Sequence, residues 1–388
     1  MKVLFDELGF AQTHGGVSRY FAEMIKRLPE DIEWHIAAKT TKNVYLHAEP
    51  FNVPFMTRSF ADFAAKIQPR CLGRSFVRLY QLFGRFLPKA LAFDEAINRR
   101  EFLKSLKDDA FDLLHITDPH PRWNTWNRVI GRKPIVVTIH DLIPEIFFPH
   151  DFLIKRMRRR LLNDANHVIA VSENTKKDII KFYGTDPNKI SVVYHGCLPA
   201  MMPAKIDFNP PKHYMLYVGQ RTYGKNYELF RDVAIDLLKE DRDLELFLTG
   251  EPLTPSEQYP YRVAGVLGRV RQRFLSDPEM RYVFAHASVF VCPSRYEGFG
   301  IPILDAFSAG CPTVLSDASC LPEVGGDAAL YFRVDDGADM KSKIRKVLDD
   351  SALAAGMREA GIRRVREFSW ERSANETAAI YRSVLGEK

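Results

Sequence analysis

Residues 214–226 read Tyr-Met-Leu-Tyr-Val-Gly-Gln-Arg-Thr-Tyr-Gly-Lys-Asn. An apolar run enters Gly219 without a polar break, and a helix-forming stretch follows Asn226. A short continuous apolar run ended by glycine is the pattern of a strand buried on both faces. The reading is a strand over 214–219 and a helix over 225–239. The pattern repeats at 244–250 (Leu-Glu-Leu-Phe-Leu-Thr-Gly), at 289–292 and at 312–316, with helices expected over 278–287 and 302–309. The tail from 338 to 386 reads as helical, broken near Asp350 and Phe368. Strands alternating with helices predict parallel α/β units.

The same alternation precedes this stretch. Strands are expected at 2–5, 34–38, 112–117, 134–140, 167–172 and 190–196. A helix opens at Gly15-Gly16 and runs to about Leu28. Another, capped by Ser172 or Asn174, runs to Tyr183. Between the two series, residues 197–212 carry Pro199, Pro203, Pro210 and Pro211 and little periodicity, as a linker does. The chain has 388 residues, which at roughly 100–200 per domain fits two domains or three; the two strand–helix series favour two. The expected fold is therefore α/β, with two Rossmann-like doubly wound domains facing a central cleft.

Composition narrows the function. Hydrophobic residues make up 46% and charged residues 27%, which excludes disorder, collagen and coiled coil. No apolar run approaches the ~18–20 residues of a membrane span. Asp6 and Glu7 close the first apolar run, so no signal peptide is expected and the chain should stay in the cytoplasm. The cysteines at 71, 197, 292, 311 and 320 form no CxxC pair, which argues against a zinc site or a disulfide framework. A net charge of +6 is too small to indicate nucleic-acid binding.

In open α/β sheets, ligands sit beyond the carboxyl ends of the strands. His140, Ser172, His195, Arg221, Gly250 and the 293–297 loop all follow expected strands directly. Arg221 and Lys225-Asn226 lie between a strand and a helix, where a fork and a point charge would meet a phosphate, or else line a solvated loop. Glu297-Gly298-Phe299-Gly300-Ile301-Pro302 precedes a helix, with Asp305 eight positions after Glu297. Backbone N–H groups there suit a phosphate, and the two carboxylates suit hydroxyls. Gly15-Gly16 could admit an anion or simply make a turn. GxGxxG is absent, which removes most of the case for a nicotinamide dehydrogenase. Asp241-Arg242-Asp243 precedes a strand and reads as a solvated turn, not a metal site. Asp141 could orient His140 or cap the next segment. His115 and His120 flank a strand end, as acceptor contacts or as structural side chains.

Together these stretches resemble the retaining GT-B glycosyltransferases of family 4, the mannosyltransferase-like members above all. The likeness rests on the early Gly-Gly, Thr-Ile-His140-Asp141-Leu, Tyr-Val-Gly-Gln-Arg221 with Lys225-Asn226, Glu297-Gly-Phe-Gly-Ile-Pro, and Leu321-Pro322-Glu323-Val324-Gly325-Gly326. It implies a donor such as GDP-mannose or a UDP-hexose, and no metal. Arg221 and Lys225 would neutralise the donor diphosphate, with Gly219 and the backbone around Phe299, Gly300 and Ile301 beside them. Glu297 would hold hydroxyls of the sugar. His140 would lie near the anomeric centre, and Gly15 and Gly16 would approach the phosphate from the other domain. The family usually has Glu where this chain has Asp305, the ribose contact, so that contact would be longer or water-mediated. The implied domains are 1–196, 213–368 and a C-terminal helix, 369–388, crossing back to the first. An epimerase acting on UDP-N-acetylhexosamine, or a non-catalytic sugar-nucleotide-binding protein, are the alternatives.

Residues 74–90 place Arg74, Arg78, Gln81, Arg85 and Lys89 on one helical face beside Phe76, Leu79, Tyr80, Phe83 and Leu87. A second basic cluster spans 155–160. Basic amphipathic helices suit anionic membranes, which would point to a lipid-linked saccharide acceptor; the other reading is a solvated helix face.

Overall fold

The computed structural model describes residues 1–54, 93–108, 110–118, 133–198 and 206–386. The segment 74–90, Cys71 and His120 lie outside the described residues. In chain order the strands are β1 (Lys2–Phe5), β2 (Glu33–Ile36), β3 (Leu113–Ile116), β4 (Ile135–Ile139), β5 (His167–Ala170) and β6 (Ile190–Val192), then β7 (Tyr214–Tyr217), β8 (Glu245–Thr249), β9 (Val270–Arg273), β10 (Val289–Cys292), β11 (Thr313–Ser316) and β12 (Leu330–Phe332). They form two six-stranded sheets, ordered β2-β1-β3-β4-β5-β6 and β12-β11-β10-β7-β8-β9.

The second sheet is parallel throughout. Leu216 of β7 is in register with Phe247 of β8 on one side and Phe290 of β10 on the other. Every residue of β7 is buried, as the unbroken apolar run predicts. Successive side chains alternate between faces. Met215, Leu246 and Val291 enter one core with Phe230 and Leu238 of the helix Tyr227–Glu240. Leu216, Phe247 and Phe290 enter the other with Phe284 of the helix Asp277–His286 and Ile303 and Phe307 of the helix Ile301–Ser308. The sheet is thus a middle layer between two helical layers, an α/β doubly wound arrangement.

Two strands were not foreseen. β9 alternates half-buried and exposed residues at the sheet edge, and β12 has three residues. The strand expected over 190–196 stops at Val192, and its last residues continue as coil.

The chain divides into two compact units. The first comprises Met1–Thr138, Arg156–Val168 and Ala374–Lys388; the second comprises Ile139–Lys155 and Ile169–Ser373. The last helix, Trp370–Leu385, therefore contributes its residues from Ala374 onward to the first unit. Within that unit His115 is wholly buried. Its Nδ1 meets the Tyr381 hydroxyl at 2.5 Å and its Nε2 the Thr138 hydroxyl at 2.8 Å, so it belongs to the core and not to an acceptor surface.

Candidate active site

Counted along the chain, the strands of the second sheet run 3-2-1-4-5-6, and the order reverses between β7 and β10. Loops leaving the carboxyl ends of two such strands diverge and leave a crevice for a ligand. The loop after β7 carries Gly219, Arg221 and Lys225. The loop after β10 carries Ser294 and Glu297.

Lys225 and Glu297, 72 residues apart in sequence, meet here: Lys225 Nζ donates to both carboxylate oxygens at 2.7 Å. Burial by itself lowers the lysine pKa and is the largest single influence. The charge and hydrogen bonds of Glu297 outweigh it, and the ammonium is held above its ordinary 10.5. Lys225 therefore stays protonated through the neutral range. The same carboxylate and burial push the Cys292 thiol up to about 11, burial being the larger cause.

Two serines hold Glu297 further. Ser294 Oγ donates to its Oε1 at 2.7 Å. Ser319 Oγ accepts from its backbone N–H at 3.0 Å and donates to its carbonyl at 2.7 Å. Ser319 adopts a left-handed backbone (φ +53°), which serine takes only where its surroundings impose it.

His140 follows β4. A Cβ built on Gly298 would lie 1.7 Å from the His140 carbonyl oxygen, so only glycine permits this approach. Ser172 Oγ and Thr175 Oγ1 donate to the Gly298 carbonyl at 2.7 and 3.3 Å. The His140 ring lies 6.1 Å from His195, edge to face, and His195 lies against Phe299 at 4.4 Å and Trp370 at 6.0 Å. The Phe299 side chain is thus part of the core, leaving its backbone as the only part able to face a ligand. Gly300 has φ +92° and caps the helix Ile301–Ser308, with Pro302 in its first turn. Asp305 is half-buried on that helix. Asp141 Oδ1 accepts from the Ile143 N–H at 3.1 Å, at the start of the helix Ile143–Phe147.

Arg221 is held by the segment that follows β8. Its Nε donates to Glu257 at 2.5 Å, and its Nη2 to the carbonyls of Glu251 and Pro252 at 2.9 and 3.2 Å. Asn226 caps the helix Tyr227–Glu240 in a left-handed conformation (φ +54°). Its side-chain amide is buried and has no hydrogen-bond partner among the described residues.

The second unit therefore gathers Arg221, Lys225, Glu297, His140, Gly219, Phe299, Gly300, Ile301 and Asp305. Gly15 and Gly16, at the start of the helix Gly16–Ile25, belong to the first unit. Glu323 caps a helix: its carboxylate accepts from the N–H groups of Glu173 and Asn174 at 2.7 and 3.1 Å. Gly326 makes a turn (φ +55°) packed on Arg364. Asp241 accepts from the Asp243 N–H at 2.9 Å ahead of β8, a turn at the amino end. Among the described residues, no group of three or more His, Cys, Asp or Glu side chains is placed to hold a metal ion.

Sequence reasoning missed Ser319 and Glu257. Ser319 left no local signal. Glu257 did leave one: Thr254-Pro255-Ser256-Glu257 is a capping box, and the box is formed.

Two family models match in tandem. Glycosyltransferase Family 4 matches residues 14–197, and Glycosyl transferases group 1 matches residues 201–364. O-antigen chain mannosyltransferase B of Escherichia coli is 24% identical over 412 residues, covering 98% of this chain and all of that protein. Alpha-maltose-1-phosphate synthase of Mycobacterium tuberculosis is 31% identical over 248 residues, covering 57% of this chain and 64% of that protein. The structure of Anabaena Alr3699/HepE in complex with UDP and glucose matches with a TM-score of 0.70 at 16% identity, covering 99% of this chain and 100% of that one. Sucrose-phosphate synthase from Thermosynechococcus elongatus matches with a TM-score of 0.67 at 17% identity, covering 99% of each chain.

Proposed function

Because this chain belongs to the family 4 glycosyltransferases of the GT-B fold, we propose that it transfers mannose from GDP-mannose to a lipid-linked saccharide, with retention and without a metal, in surface polysaccharide synthesis. One observation carries the donor site: Lys225 pairs with Glu297 where the second sheet reverses its strand order, and Arg221 lies on the same loop after β7. Mannose is supported by relatives named as O-antigen chain mannosyltransferases in Escherichia coli and Salmonella typhimurium.

The chemistry follows from these residues. As the glycosidic bond breaks, negative charge develops on the diphosphate. Arg221, Lys225 and the N-terminus of the helix Ile301–Ser308 stabilise it. Two cations and a helix dipole supply the charge that a metal would otherwise supply. Donor binding exchanges partners: the Lys225 ammonium turns from Glu297 to phosphate, and the Glu297 carboxylate accepts from sugar hydroxyls instead. Ser294 and Ser319 keep that carboxylate in place through the exchange. Asp305 takes the ribose. Retention is supported by the family likeness.

The membrane part of the reading has its own support. No helix among the described residues is long and apolar enough to cross a membrane. Phe148, Phe152 and Leu153 are nonetheless exposed at 61%, 74% and 65%. The helix Phe152–Asp164, which starts there, continues with Lys155, Arg156, Arg159 and Arg160. Arg158 of that basic run is buried and drops out. Apolar side chains beside cations suit an anionic surface, with about 1 kcal/mol per basic residue.

The test is a donor panel of GDP-mannose, UDP-glucose and UDP-N-acetylglucosamine with a saccharide acceptor, read by released nucleoside diphosphate. GDP release with an α-linked product is expected. Release from a UDP-sugar alone would overturn the donor, and release from none would overturn the reading. Sedimentation with liposomes should rise with anionic lipid and fall with salt; indifference to both would remove the membrane contact.

A further inference from the structure

We propose that Glu257 is a positioning residue, one that aims the Arg221 guanidinium at the donor diphosphate. The proposal rests on the donor-site reading above. An arginine side chain is long and, unrestrained, surrenders rotamer freedom each time it binds an anion. Arg221 is not unrestrained. Three of its five N–H donors are taken by one short segment, 251–257: Nε by Glu257 at 2.5 Å, and Nη2 by the carbonyls of Glu251 and Pro252 at 2.9 and 3.2 Å. The Tyr227 ring lies 5.8 Å from the guanidinium carbon, and only 9% of the side chain is exposed. Among the described residues the two protons on Nη1 remain, so the fork offers a single nitrogen in a fixed direction.

Glu257 is itself immobilised. Its Oε2 accepts from the Thr254 N–H and the Thr254 hydroxyl, both at 2.8 Å, and Thr254 Oγ1 accepts from the Glu257 N–H at 3.3 Å. One oxygen of the carboxylate thus caps the helix Pro255–Val263 while the other holds Arg221. A glutamine cannot do both. It has one accepting oxygen, so keeping the cap surrenders the Arg221 Nε bond.

Two roles for Glu257 predict opposite signs. A carboxylate that chiefly neutralised Arg221 would weaken anion binding, and its removal would tighten it. A carboxylate that chiefly aims Arg221 would strengthen binding, and its removal would loosen it. The geometry points to aiming, because the guanidinium is nearly buried and, among the described residues, its hydrogen bonds go to the 251–257 segment with the Tyr227 ring beside it.

The experiment is calorimetric titration of GDP and UDP into the wild type, Glu257→Gln, Arg221→Ala, the double variant and Thr254→Ala, each with a melting curve. Glu257→Gln should weaken the nucleoside diphosphate about tenfold, the worth of one hydrogen bond to a charged group. It should raise donor KM more than it lowers kcat, and it should cause no further loss on the Arg221→Ala background. Thr254→Ala removes the hydroxyl contact to Oε2 but leaves the Thr254 N–H contact and the Oε1–Arg221 bond; it should bind within about threefold of wild type, well short of one charge-assisted hydrogen bond. Unchanged or tighter binding by Glu257→Gln, or an equal loss without Arg221, would overturn the proposal. Wild-type affinity in Arg221→Ala would overturn the diphosphate reading itself. A loss in Arg221→Ala without one in Glu257→Gln would overturn only the positioning role.

Discussion

Replacing Gly298 with alanine tests how the loop after β10 is seated. The added Cβ would fall 1.7 Å from the His140 carbonyl oxygen, 2.8 Å from its carbon and 3.2 Å from Asp141 Cβ. Ordinary contact begins near 3.4 Å, so the two backbones must separate by about 1.7 Å at the closest point. Neither can yield by a rotamer change, because the nearest atom is main chain. Separation also pulls the Gly298 carbonyl from Ser172 Oγ, now 2.7 Å away. Overpacking of this kind costs about 1–3 kcal/mol, sometimes more. At about 2–4 °C per kcal/mol for a unit of 150–250 residues, the melting temperature should fall by roughly 2–12 °C. Glu297, the preceding residue, is displaced with it, and a 1 Å misplacement can lower turnover about a hundredfold. Calorimetric melting and donor kinetics on one preparation read both effects. A variant that melts like wild type and keeps its kcat/KM would refute the claim that Gly298 is required for this close approach.

Three further outcomes follow from the site. On the proposed mechanism, in which Arg221, Lys225 and a helix N-terminus supply the positive charge, transfer should persist in excess EDTA; a loss restored by manganese or magnesium would contradict this. Ser319→Ala removes the hydroxyl that holds both backbone ends of Glu297, and should lower kcat/KM about tenfold, in line with ~1–3 kcal/mol for stranding a buried polar group; an unchanged value would show that Glu297 is held without it. Glu257 titrates below its ordinary 4.5: burial raises it and is the largest single influence, but the hydrogen bonds from Arg221 and Thr254 outweigh burial. Its contribution to stability is therefore complete above about pH 4.5 and fades as pH falls through the lowered value. Between pH 5 and pH 3, as protonation removes that contribution, the wild type should lose melting temperature more steeply than Glu257→Gln; parallel curves would sever the ion pair from stability.

Much of the second unit was legible because its central strands are buried on both faces. An unbroken run such as 214–218, closed by glycine, suits a strand covered on both faces. β9 was not legible, because an edge strand reading Val-Arg-Gln-Arg shows a sheet only half of itself. The helix Pro255–Val263 was hidden by Pro255 and Pro260, although its capping box was readable. Within the site, Arg221, Lys225 and Glu297 could be found because each follows an apolar run at a strand end. Their partners could not. The Lys225–Glu297 pair depends on β7 lying beside β10, and the Ser319 contacts depend on the turn after β11 reaching back to the loop after β10. Such pairings arise from strand order, which local periodicity does not encode. The family likeness supplied roles for single residues, whereas the Arg221–Glu257 contact lies outside its motifs.

The proposed stabilisation of a diphosphate leaving group by Arg221 and Lys225 is tested most directly by kcat at saturating donor for Arg221→Ala and Lys225→Ala, with melting curves to establish folding. Each variant should stay folded and turn over about a hundredfold or more slowly, as expected when one charge stabiliser is lost from the transition state. Folded variants with near-native kcat would contradict it.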